Sequence, residues 1–200
     1  MADGRMIGSA PVPSIWIPPK LAHRIRRVST AAGAVTLAAA LVVGVGMPMI
    51  GPALPTATSP VTMLTTSSGI FLGLFLAVSG VTMTVARGWV SLGRHPGGRD
   101  FILDARPAAT GSVVLVSAAV ASILSALFFY TSYTATITWS SGPHPANVHP
   151  VTPSIALFLL LPALAVGLTL ANLVVGWRLF RPSQQTIRRA SSSSPRSPSA

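Results

Sequence analysis

The stretch RGWVSLGRHPGGRDFILDAR, residues 87–106, carries Arg87, Arg94, Arg99 and Arg106 and divides two tracts, 28–86 and 107–177, that contain no Lys, Arg, Asp or Glu. Each tract is far longer than the roughly 20 apolar residues that cross a bilayer once. Each is also interrupted near its middle by an uncharged, Pro-rich segment, so each predicts two crossings. The expected fold class is an all-α membrane protein with four transmembrane helices arranged as two hairpins.

Composition supports a lipid-embedded chain. Of 200 residues, 50% are hydrophobic and 8% charged, with a mean hydropathy of +0.63, whereas a soluble domain carries about 25% charged residues. The formal charge of +11 comes from 14 basic against 3 acidic residues. Because the basic residues form clusters that alternate with apolar spans, they read as loops beside lipid and not as a nucleic-acid surface. Thirteen of the 14 basic residues are Arg, and with the excess of Ala, Val, Gly and Pro this resembles a bacterial, GC-rich coding bias. There is no Cys, which removes disulfides and thiolate metal sites.

Working outward, spans are expected at about 30–49, 62–86, 108–130 and 154–177. A basic, Pro-rich segment (1–28) precedes them, a loop (87–107) joins the second to the third, and a Ser/Pro/Arg tail (182–200) follows the last. The core-forming unit is thus 29–181. The first 20 residues are expected to be unstructured or loosely attached to the membrane surface. A cleaved signal peptide is the rival reading of the first span, but its basic flank and apolar run are longer than such peptides use. Within the loop, Pro96-Gly97-Gly98 breaks regular structure, and residues 99–106 are expected to lie on the membrane surface as one or two helical turns. Pro107 suits the first turn of the third helix, and Pro162 is expected to kink the fourth.

Small residues mark the expected packing faces. Gly33, Ala34, Ala38, Gly44 and Gly46 do so in the first span. Gly69 and Gly73 form a GxxxG pair in the second, open to intramolecular packing or to a homodimer. Ala118, Ser122 and Ala126 recur at four-residue spacing in the third. Asn172 is the most polar residue inside a span and is expected to hydrogen-bond a neighbouring helix. Trp16, Arg26, Arg27, Arg87, Trp89, Trp139, Trp177 and Arg178 are expected as membrane-interface anchors, with an aromatic belt of Phe128, Phe129, Tyr130, Tyr133 and Trp139 at the uncharged end. Basic residues fall only before the first span, in the central loop and after the fourth, so the positive-inside rule places both termini and that loop in the cytoplasm of a cell (plasma) membrane. The halves also align: Gly33–Leu37 with Gly111–Leu115, Pro60–Thr62 with Pro150–Thr152, Gly80–Met83 with Gly167–Leu170, and Gly88-Trp89 with Gly176-Trp177. A parallel internal repeat and chance matching of low-complexity helices both account for this.

The chemistry of an enzyme is missing. The chain has no Glu and no ionisable side chain at membrane depth, which disfavours proton- or cation-coupled transport. Asp100 and Asp104, spaced i, i+4, are too few carboxylates for divalent-metal catalysis and are expected to pair with Arg99 and Arg106. His144 and His149 lack a third ligand. Ser79-Gly80 has no His base at its depth. The sequence therefore predicts no catalytic residue, no cofactor and no metal. It predicts a multi-pass membrane protein, an accessory or assembly subunit that works by helix packing, with a small uncoupled transporter or channel acting as a homo-oligomer as the alternative. Expected partners are the lipid bilayer, with anionic lipid at the cytoplasmic face, and other membrane proteins or a second copy. No nucleic acid is expected.

Overall fold

The computed structural model describes residues 14–53, 59–95, 98–140 and 153–180. The expectations for the N-terminal 13 residues, the C-terminal tail and the loop holding His144 and His149 lie outside them. So do the side chains of Trp16, Trp139, Arg94, Arg99 and Asp100. In chain order the elements are β1 (Ser14–Ile17), α1 (Pro19–Ile50), a 3-10 turn (Gly51–Ala53), α2 (Ser59–Val85) and a second 3-10 turn (Ala86–Trp89). A hairpin of β2 (Val90–His95) and β3 (Gly98–Asp104) follows, then α3 (Ala105–Ser140) and α4 (Pro153–Phe180).

All four helices are long and apolar enough to cross a membrane. At 32, 27, 36 and 28 residues and about 1.5 Å per residue, each exceeds the roughly 30 Å hydrocarbon core. The surplus of α1 lies at its start, where Lys20, Arg24, Arg26 and Arg27 extend the helix beyond the neutral tract. Pro18 caps it in an extended conformation (ψ 149°) and its carbonyl accepts from the Leu21 and Ala22 amides at 3.0 and 3.1 Å. Pro19 occupies the first turn, where no helical donor is required. Pro107 does the same for α3.

Close backbone approach joins α1 to α2. The contacts run in opposite chain directions along nearly the whole pair: Gly33 against Gly80 and Thr84, Ala40 and Gly44 against Gly73, Met47 and Pro48 against Gly69, Gly51 against Thr65. A Cβ at Gly73 would lie 2.6 Å from the Gly44 Cα, and one at Gly69 would lie 2.7 Å from the Met47 Cβ. The GxxxG face of α2 is therefore occupied by α1 of the same chain. Not every small residue of the first span takes part. Ala34 and Ala38 are exposed, and a Cβ at Gly46 would meet nothing within 4 Å.

On α3, Ala118, Ser122 and Ala126 are all buried. The aromatic belt turns partly inward. Phe129 and Tyr133 are buried, with ring centroids 5.6 Å apart, and Phe158 of α4 meets Phe129 edge-on at 5.7 Å. Among the described side chains of this group, Phe128 is the strongly exposed one. α4 continues through Pro162 as one helix. The Tyr130 hydroxyl donates to the Leu159 carbonyl at 2.6 Å, three residues before Pro162. Tyr130 thus fastens α3 to the turn that Pro162 disturbs.

The central loop departs from expectation. Residues 98–104 form a strand in place of surface helical turns, and residues 14–17, expected to be unstructured, pair with it. The result is an antiparallel three-stranded sheet in the order β1-β3-β2, with Ile17 opposite Phe101 and Val90 opposite Leu103. The physical reason is a two-residue period in Phe101-Ile102-Leu103: Phe101 and Leu103 face inward and Ile102 does not. Asp100 and Asp104, four residues apart on a strand, are separated by about 13 Å and not by one helical turn. Ile17, Val90, Phe101 and Leu103 pack on Ala22, Ile25, Met83, Ala86, Leu115, Leu179 and Phe180, so the sheet caps the charged end of the bundle.

The residues matched between the halves sit in unlike surroundings. Gly80 is pressed against Leu37 and Gly33, whereas Gly167 has nothing within 4 Å of its Cβ direction. Gly33 packs on α2, whereas Gly111 packs on the indole of Trp89.

The seam yields a paired test. Gly73→Leu is expected to force α1 from α2 and lower stability by about 3 kcal/mol, measured by equilibrium unfolding in mixed micelles. Gly46→Leu, pointing into open space, is expected to change it by under about 0.5 kcal/mol.

Candidate functional site

The first sixteen residues of α1 that follow the cap set out a face that is cationic at its start. His23, Arg26, Arg27, Thr30, Ala31 and Ala34 recur at three- and four-residue intervals and so share one side of the helix. Opposite them the chain leaves α2 through the turn that carries Arg87 and Gly88. Between the two lies an open depression of about 840 Å³ lined by these eight residues. Three guanidinium groups and an imidazole border it, and no carboxylate does.

Arg26 holds a fixed place in this groove. One of its guanidinium nitrogens donates to the Val90 carbonyl at 2.7 Å, and the group lies 5.5 Å above the centroid of the Phe101 ring. His23 meets the same ring edge-on at 5.6 Å. The β2–β3 hairpin therefore orients one side of α1. Arg27 and Arg87 are exposed. Toward the membrane interior the floor changes from charged to apolar at Thr30, Ala31 and Ala34.

The expected interface anchors divide accordingly. Arg27, Arg87, Trp177 and Arg178 are exposed at the capped end. Arg26 is engaged with the hairpin. Trp89 is half-buried, packed between Gly111 of α3 and the Phe180 ring at 5.1 Å, and so works as a wedge under the cap as well as at its edge. Trp16 belongs to β1, its Cα opposite Ile102.

A second polar cluster lies inside the bundle. The Asn172 amide of α4 donates to Thr36 Oγ1 of α1 at 2.8 Å and to Ser79 Oγ of α2 at 2.9 Å, and all three residues are buried. Thr36 passes its own proton to the Ala32 carbonyl at 2.7 Å, which leaves its oxygen free to accept from the amide. The one amide thereby joins α4 to two helices at once. Ser122 is different: among the described residues its buried hydroxyl has no hydrogen-bond partner. No group of three or more His, Cys, Asp or Glu among the described residues converges to hold a metal.

Sequence reasoning did not find the groove. Its signal is the shared face of His23, Arg26, Arg27 and Thr30, visible once α1 is extended back to Pro19, together with a strand that fixes Arg26. The chemistry available there is recognition of an anion with an apolar attachment.

Asn172→Ala is expected to lower stability by about 1–2 kcal/mol. A double-mutant cycle with Ser79→Ala is expected to return a coupling near 0.6 kcal/mol, both read from reversible unfolding in bicelles.

No family model, no curated protein and no solved structure matches this chain.

Proposed function

We propose that this chain is a multi-pass protein of the bacterial plasma membrane, with both termini and the sheet cap in the cytoplasm, that serves as an accessory or assembly subunit through helix packing with other membrane proteins. The observation that carries this reading is how the polar groups at membrane depth are used. Asn172 donates to both Thr36 and Ser79 and so joins three helices, while Thr82, Thr84, Ser112, Thr131 and Thr169 return their hydroxyls to carbonyls of their own helix. What each helix offers outward is large and apolar: Leu41 and Val42 on α1, Phe71 and Leu74 on α2, Leu124 and Phe128 on α3, Leu160 and Leu164 on α4. Such surfaces suit lipid and other transmembrane helices. Orientation follows from charge, because every basic residue beside a span lies at the capped end. No catalytic role is proposed.

The alternative, an uncoupled transporter or channel acting as a homo-oligomer, loses the dimer face first expected for it, because Gly69 and Gly73 pack against α1. Purification in mild detergent separates the two readings. A second membrane protein retained in fixed stoichiometry is expected, whereas a lone oligomer that passes solute into liposomes would replace this proposal with the alternative. Orientation has its own test in intact cells: Ser141→Cys is expected to react with an impermeant thiol reagent and Ser91→Cys is not. The reverse pattern would invert the topology.

A further inference from the structure

We infer that the groove between α1 and the Ala86–Trp89 turn is a binding site for one anionic phospholipid, its phosphate held by Arg27 and Arg87 and its acyl chain lying along Ala31 and Ala34. The inference rests on the membrane-embedded reading above and not on the subunit role.

Three features of the groove point to this ligand. Its lining changes from guanidinium to methyl along a single helix face, from Arg26 and Arg27 through Thr30 to Ala31 and Ala34. That is the order of chemistries met on passing from a lipid headgroup into its acyl chains. Its cations face one another without a carboxylate among the lining residues to neutralise them. Arginine's planar fork suits a phosphate oxygen pair better than an ammonium would. The groove is also held in shape: Arg26 is tied to the Val90 carbonyl and stacked on Phe101, so the cation at its wall is positioned before any ligand arrives. Gly88 keeps the opposite wall low, for a Cβ there would meet nothing within 4 Å. The volume, about 840 Å³, lies within the usual range of small-molecule pockets.

A free phosphate shares the headgroup's charge but not its chain, and the same experiment tells them apart. The full-length protein in dodecylmaltoside is titrated with dioleoyl phosphatidylglycerol, dioleoyl phosphatidylcholine or inorganic phosphate, and its Tm is followed. Phosphatidylglycerol is expected to raise Tm saturably, phosphatidylcholine and phosphate are not. Arg27→Gln with Arg87→Gln is expected to weaken the apparent affinity about 30-fold. Ala34→Trp, which fills the apolar floor without changing charge, is expected to weaken it as well. Arg106→Gln with Arg178→Gln removes the same charge from the same end of the bundle, outside the groove, and is expected to bind as the unaltered protein does.

Equal weakening by both Arg pairs would overturn the inference, since general attraction to an anionic surface would then suffice. Equal response to phosphate alone, or an Ala34→Trp variant that binds unchanged, would overturn it too. A flat lipid response alongside the expected Cys labelling sinks the groove alone. Reversed labelling with the lipid response intact sinks the orientation alone.

Discussion

In hydrocarbon a helix gains little by hiding apolar surface from its neighbour, because lipid tails are as apolar as the neighbour is. Association rests instead on close packing and on the few polar groups that find partners. The Gly44–Gly73 crossing meets that constraint. With no Cβ on either residue, α1 and α2 approach until backbone touches backbone, and dispersion contacts accumulate along the length of both helices. The other helices depend on this pair. Asn172 can reach Thr36 and Ser79 together only because α1 and α2 bring those hydroxyls side by side, so the amide of α4 reports on a distance set by glycines elsewhere.

At the capped end the solvent changes and so does the physics. Where water reaches the chain, burial of apolar surface is again favourable. There a second apolar cluster, with Ile17, Ile25, Met83, Val90, Phe101, Leu103 and Phe180 among its members, joins the sheet to the helix ends. The sheet can exist only at such a place. Its outer strands carry unpaired amides and carbonyls, which lipid would penalise by several kcal/mol each and water satisfies. One of these carbonyls, that of Val90, is met by Arg26 instead.

The helices were legible because their signal is long: two neutral tracts, a basic junction and small residues at helical spacing. Gly69, Gly73, Ala118, Ser122, Ala126 and Asn172 could be read as interior residues from spacing and polarity alone. The sheet was hidden for the opposite reason. Ser14–Ile17 is four residues, too short for alternation to be distinguished from chance, and its partner lies more than eighty residues away. The Asp-Phe-Ile-Leu-Asp run is amphipathic under either a helical or an extended reading, and only the neighbouring strands decide between them. Helical wheels likewise cannot say which of two small-residue faces is used. Gly46 and Ala38 look like packing positions, yet the crossing that Gly44 and Gly73 permit turns them outward. The groove was hidden with the sheet, since without β2 and β3 nothing distinguishes Arg26 from any other cation beside lipid.

The same arrangement couples parts of the molecule that are far apart in the chain. β1 and β3 are separated by two complete spans, so their pairing requires α1 and α2 to return the chain to one side. The pairing ties the first residues of α1 to the first residues of α3. Arg26 belongs to the cap through Val90 and Phe101 and to the groove through its remaining donors. A group shared by two structures links their equilibria: whatever favours the ordered position of Arg26 favours both, and whatever withdraws it weakens both.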